Sequence, residues 1–272
     1  MGFWFAIRNK YGKIKLLMRK GLQNMIKILA IGNSFSQDAT RYFKAVADSV
    51  GIDIKVVNLY IGGCPLELHA EHVRDGKASY MYQLNGELTE RFVSLQEMLQ
   101  EDSWDMVTIQ QASGYSGLPE SYEPHGTVLL DLVKSYVPEA KIWFHETWAY
   151  EQDSEHRHFV WYDNSQKTMF EKICGAAEPF AQKHGLGLIP CGRVIQMLRQ
   201  LPEFDYANGG LSLCRDGFHM SLDYGRFALA ATWVEVLLGG NVLESSFAPE
   251  DTDPALIGLI RREVHRFCRE DA

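Results

Sequence analysis

Apolar residues run along this chain in two textures. Continuous apolar runs of strand length recur at IKILAI (26–31), IKVVNLYI (54–61), WDMVTIQ (104–110), KIWFHET (141–147) and LGLIPC (186–191). Unbroken rather than alternating apolarity predicts strands covered on both faces, as in a parallel sheet. Apolar residues at helical spacing fill ATRYFKAVADSV (39–50), SLQEMLQ (94–100), EPHGTVLLDLVKSYV (123–137) and NSQKTMFEKICGAAEPFAQKHG (164–185). They return in DYGRFALAATWVEVLLGG (223–240) and PALIGLIRREVHRFC (254–268). Pro179 is expected to kink or interrupt the helix at 164–185. Strand alternating with helix predicts right-handed crossovers and an α/β class, a three-layer α/β/α sandwich. The stretch SYMYQLNGELTERF (79–92) breaks the rhythm, because Asn85-Gly86 between strand-like residues predicts a small inserted hairpin. No linker, repeat or low-complexity tract divides the chain, so residues 26–272 read as one domain.

Composition narrows the partners. The 272 residues fit a single α/β domain, and 35 acidic against 27 basic residues leave a net charge of −8. That balance argues against a nucleic-acid or anionic-membrane binder and favours a neutral or small partner. The five cysteines are far apart, odd in number and without a CxxC pair. They suggest neither a disulfide framework nor a zinc knuckle, and read as buried thiols of a reducing, cytoplasmic compartment. Residues 1–25 are basic and partly apolar, but the stretch Phe3 to Ile7 is shorter than the roughly 7–15 residues of a signal core. They read as an extension outside the fold, with a short amphipathic helix as the alternative. No run of about 18 apolar residues exists to span a bilayer.

In an open parallel sheet, ligands bind beyond the carboxyl ends of the strands. After the first run come Gly32, Asn33 and Ser34, with Gly32 making the turn and Ser36 or Asp38 able to cap the next helix. A serine there has an exposed hydroxyl and helix N–H groups nearby for a developing oxyanion. Taken alone, the triplet equally suits plain turn-and-cap chemistry or a phosphate-binding loop. Near the other end, CRDGFHMSLDYGRFALA holds Asp216 and His219 three positions apart ahead of a long helix. On a turn, that spacing lets the carboxylate hold the near ring nitrogen, leaving the far one to take a proton from a serine. Trp148 and Tyr150 follow the fourth run, where aromatic faces suit a sugar ring or an acyl chain, or core and lid packing. The pairs His69/His72 and His156/His158 lack the third and fourth ligands of a zinc site, and no glycine-rich nucleotide motif follows a strand. Neither metal nor cofactor is expected, and His145 and Glu146 receive no chemistry.

Together, Gly32-Asn33-Ser34 and Asp216-Gly217-Phe218-His219, in this order, resemble the SGNH (GDSL-like) hydrolase superfamily. The resemblance covers roughly residues 26–240. It is nearest to a DUF4886-like bacterial group that shares the stretches IGNSFS, NLYIGGC, QQASG, TWAY and RDGFH. It implies a flavodoxin-like, five-stranded parallel sheet in the order 2-1-3-4-5, Ser34 as nucleophile, His219 as base and Asp216 as its orienting acid. It also implies an oxyanion glycine after the second strand, either Gly62 or Gly63, with Gly63 nearer the helix start. The third block departs from the family, because IQQASGYSG stands where an asparagine donor is usual. The side-chain amide of Gln111 or Gln110 is chemically equivalent. The function so implied is hydrolysis of an ester, an O-acetyl or short acyl group on a carbohydrate, through an acyl-enzyme. A glycan-binding relative that keeps the pocket with little or no catalysis is the main alternative, and a flavodoxin-like phosphate binder is a third.

Overall fold

The five apolar runs form parallel strands in a computed structural model that describes residues 25–269. In chain order the strands are β1 (Ile26–Gly32), β2 (Ile54–Tyr60), β3 (Tyr80–Leu84), β4 (Glu87–Val93), β5 (Met106–Ile109), β6 (Lys141–His145) and β7 (Gly187–Ile189). β1 lies at the centre. Its residues Ile28 to Ile31 are all buried, Ile28 and Ala30 in one apolar cluster and Leu29 and Ile31 in the other. That two-sided burial explains the continuous apolarity.

One expectation needs correction. The sheet is not five-stranded and parallel in the order 2-1-3-4-5, but seven-stranded and mixed, in the order β4-β3-β2-β1-β5-β6-β7. The Asn85-Gly86 turn, with both residues at positive φ (53° and 83°), joins β3 to β4. β3 then pairs antiparallel with β2. An open β2 edge would leave a row of N–H and C=O groups unpaired, and the hairpin satisfies them.

The helices are α1 (Ser34–Thr40), α2 (Phe43–Ser49), α3 (Leu66–Asp75), α4 (Leu95–Glu101), α5 (His125–Tyr136), α6 (Gln166–His184), α7 (Cys191–Leu198), α8 (Tyr224–Leu237) and α9 (Pro254–Arg269). Buried residues of α1, α2, α7, α8 and α9 share the cluster with Ile28 and Ala30, whereas those of α3, α4 and α5 share the other. α6 contributes Met169 and Ile173 to the first and Phe180 and Ala181 to the second, as a helix at the sheet margin does. It runs on through Pro179 instead of ending there. The single helix expected at 39–50 is two short ones, and the first begins five residues earlier, at Ser34. Apart from Met25, the expected N-terminal extension lies outside the described residues. Among the described residues, no helix is long and apolar enough to cross a membrane.

Candidate active site

Ser34 is the first residue of α1, directly beyond the end of central strand β1. Asn33 is the N-cap: its Oδ1 accepts from Phe35 N at 3.0 Å. Ser36 and Asp38, expected to cap, instead lie within the helix, because a cap acceptor at Asn33 already satisfies the first turn. Gly32 does not make the turn through its own dihedrals either, since it is still in β1. A Cβ there would lie 2.5 Å from Ser36 Oγ and 3.0 Å from Gln110 Cδ, so glycine answers a close approach.

The residues 214–220 form a tight loop held by a Cys214–Met220 bridge and by Arg215 N donating to His219 O at 2.9 Å. Inside it, Gly217 takes φ +82° and the Asp216 carboxylate accepts from His219 N at 2.8 Å and from Phe218 N at 3.3 Å. Its other oxygen meets His219 Nδ1 at 2.7 Å, and His219 Nε2 stands 2.8 Å from Ser34 Oγ. With Nδ1–H donated to the acid, Nε2 is the bare nitrogen facing the hydroxyl. Burial alone would raise the Asp216 carboxyl, but hydrogen bonds from the His219 ring and backbone hold it below its ordinary value. The two distant motifs are thus in hydrogen-bond reach.

Asp38 fastens the loop to the serine helix, a role its sequence position did not reveal. Fully buried, it accepts from Arg215 Nη1 at 3.0 Å, Arg226 Nε at 2.8 Å and Met220 N at 3.0 Å. The available signal was an aspartate four residues after the serine, with arginines flanking Asp-x-x-His.

The N–H groups of Ser34, Gly62 and Gly63 meet no acceptor among the described residues. Gly63 holds φ +62°, a conformation suited to glycine. Neither glutamine is free to join them, which corrects the expectation of a side-chain oxyanion donor. Gln111 Nε2 donates to Ser121 O and Oγ, both at 3.0 Å, and its Oε1 accepts from Leu66 N and Ala112 N. Gln110 is only 1% exposed, and its Nε2 gives one of its two hydrogens to Asn33 Oδ1 at 2.8 Å, which turns the amide into the interior. A buried amide completes its hydrogen bonds with the loop groups around it.

Trp148 and Tyr150 are likewise corrected, since both are fully buried and present no face to a substrate. Trp148 stacks on Phe35 with centroids 4.0 Å apart and donates from Nε1 to Phe218 O at 2.7 Å. Tyr150 OH lies 2.9 Å from Ser113 Oγ. They brace the floor under His219, whose ring rests against Phe35 and Phe218. His69 is within 2.8 Å of Tyr80 OH, and His72 packs edge-on to the same ring. Burial lowers both imidazoles. Among the described residues, no group of three or more His, Cys, Asp or Glu could hold a metal ion.

The family model described as "Domain of unknown function (DUF4886)" matches residues 27–265. A DUF4886 family protein from Bacteroides uniformis is 33% identical, with a TM-score of 0.84 over 92% of this chain and 97% of that one. A candidate SGNH hydrolase from Slackia heliotrinireducens superposes with a TM-score of 0.53 at 22% identity, covering 79% of this chain and 100% of its own. A variant of an acetyl-xylooligosaccharide esterase from Geobacillus stearothermophilus gives 0.51 at 15% identity, covering 84% and 97%. These last two likenesses show that the chain shares the α/β fold of those two proteins. Among curated proteins, none matches the chain.

Proposed function

The chain belongs to the DUF4886 family, and from that premise we propose that it is a serine hydrolase cleaving an ester through an acyl-enzyme on Ser34. The observation that carries the reading is the unbroken series Ser34 Oγ, His219 and Asp216, with contacts of 2.8 and 2.7 Å. As Oγ attacks the carbonyl carbon, His219 Nε2 takes its proton and the carbonyl electron pair moves onto oxygen. The N–H groups of Ser34 and Gly63 hold that oxyanion. Collapse expels the alcohol, which His219 protonates. Water, deprotonated by His219, then frees the acid and restores Ser34. Asp216 keeps its carboxylate throughout and steadies the imidazolium.

The substrate we infer is a carbohydrate bearing an O-acetyl or other short acyl group. Support comes from the shared fold with the protein described as an acetyl-xylooligosaccharide esterase. Ser34→Ala and His219→Ala should each lower kcat on a short aryl ester by on the order of 10⁴-fold or more without changing the fold. A fluorophosphonate should label Ser34 in the parent chain. Unchanged turnover in either variant would sink the mechanism. A second reading, a glycan-binding relative of low activity, draws on the commitment of Gln111 to its loop, which leaves backbone donors only. Glycan binding without labelling of Ser34 would favour it.

A further inference from the structure

Asn33, Gln110 and His145 form a buried hydrogen-bond series whose direction is fixed by chemistry at one end. Phe35 N and Cys64 O allow one orientation of the Asn33 amide: a backbone N–H only donates and a carbonyl only accepts. Asn33 Oδ1 therefore faces Phe35 N at 3.0 Å, and Nδ2 donates to Cys64 O at 3.1 Å. Gln110 must then give Nε2–H to Asn33 Oδ1, at 2.8 Å, and turn its Oε1 to His145 Nδ1, also at 2.8 Å. It follows that His145 carries its proton on Nδ1. Its Nε2 is buried and has no partner, which agrees with a bare nitrogen that loses no donor. All three side chains are at most 2% exposed, and burial lowers the imidazole to about 3, so the ring is neutral near pH 7.

The series ends where the oxyanion loop is anchored. Residues 61–64 are tied to the end of β1 on both sides of Gly63: Ile61 N donates to Gly32 O at 3.3 Å, and Asn33 Nδ2 reaches Cys64 O. Within the loop, Cys64 N donates back to Ile61 O at 3.2 Å. The loop that carries the Gly63 N–H is thus anchored in part by the Asn33 amide, which is held in turn by Gln110 and, through it, His145.

We propose that Gln110 and His145 are positioning residues: through Asn33 they set the Cys64 peptide so that the Gly63 and Ser34 N–H groups converge on one oxyanion position. The inference rests on the reading of Ser34 as nucleophile. It gives the glutamine after β5 a part in the chemistry at one remove, without contact to the substrate.

The test compares the full chain with Gln110→Met, His145→Phe and His145→Asn. Nitrogen NMR of the parent chain should show His145 protonated on Nδ1, bare on Nε2, and not titrating near neutral pH. Gln110→Met should lower kcat on p-nitrophenyl acetate, and the rate of fluorophosphonate labelling, by about tenfold to a hundredfold. KM should stay within about twofold, as expected when a transition-state interaction is lost. The pH profile should not move, because Asp216 and His219 are untouched. His145→Asn, whose side-chain Nδ2 can donate in place of the imidazole Nδ1, should recover most of the rate lost in His145→Phe. A simple packing role predicts no such rescue. Wild-type kcat and labelling in Gln110→Met, or an Nε2–H tautomer at His145, overturns the proposal. A parent chain that neither turns over the ester nor takes the label overturns the nucleophile reading and the positioning role with it, so the two failures are distinct.

Discussion

Replacing Asp38 by asparagine keeps the side chain's shape and removes its charge, leaving Arg215 and Arg226 without their shared carboxylate. Breaking a buried pair from one side costs about 3–5 kcal/mol. Here the arginine side chains are 29% and 15% exposed, so water can partly solvate them and the lower end, about 3 kcal/mol, applies. For a chain of this length, each kcal/mol shifts the melting temperature by roughly 2–4 °C, giving a drop of about 6–12 °C. The exposed pair Lys44–Asp48, 2.6 Å apart, provides the contrast. Asp48→Asn should cost at most about 1 kcal/mol. Beyond stability, Asp38 joins the helix that begins at Ser34 to Met220, the neighbour of His219. Turnover of p-nitrophenyl acetate, measured well below the melting transition, should therefore show kcat reduced by about tenfold or more with KM little changed. An Asp38→Asn chain that melts within about 2 °C of the parent, or that retains full kcat, refutes the reasoning.

Two further substitutions test other parts of the frame. Burial pushes the Glu146 carboxyl up to about 7 against the pull of Arg193, so between about pH 4.5 and 7 the folded chain holds a proton that the unfolded chain has released. Its contribution therefore declines as pH rises through that window, by at most about 3 kcal/mol. Glu146→Gln should lose less melting temperature than the parent between about pH 5 and 8; an equal loss in both chains contradicts this. Gly32→Ala brings a methyl group 2.9 Å from Ser36 Cβ, in the first turn of α1. Overpacking of this kind costs about 1–3 kcal/mol, and displacement of Ser34 should lower kcat beyond that; a fully active variant of parental stability contradicts the close approach.

Much of this frame was legible in the chain. Strands buried on both faces leave continuous apolar runs, so β1, β2, β5, β6 and β7 could be found from the apolar pattern alone. Gly-Asn-Ser and Asp-x-x-His are each ambiguous alone, and it is their order in the chain that carries the family resemblance pairing them. What escaped depended on neighbours remote in sequence. Asn85-Gly86 announces a turn, but nothing local says that β3 joins the edge of β2. Gln111 has the amide an oxyanion donor needs, yet Ser121 takes both of its hydrogens. Trp148 and Tyr150 look like a sugar platform until Phe35 and Ser113 are seen to cover them. α7 opens after Pro190 and carries Gly192 in its first turn, which obscured its helical pattern. Asp38 read as a cap because its partners lie some 180 residues away.

That separation has a consequence for how the chain comes into being. Ser34 and His219 are 185 residues apart, so a nascent polypeptide carries its serine long before a base exists beside it. A partial product would hold an ordinary alcohol, harmless to the acyl groups around it until α8 docks and Arg226 reaches Asp38. The chain is divisible on the same terms. Opened in the stretch between α7 and Cys214, it would give one fragment with the serine and another with the acid and base. On the proposed mechanism neither could act alone, and ester cleavage would report their reunion.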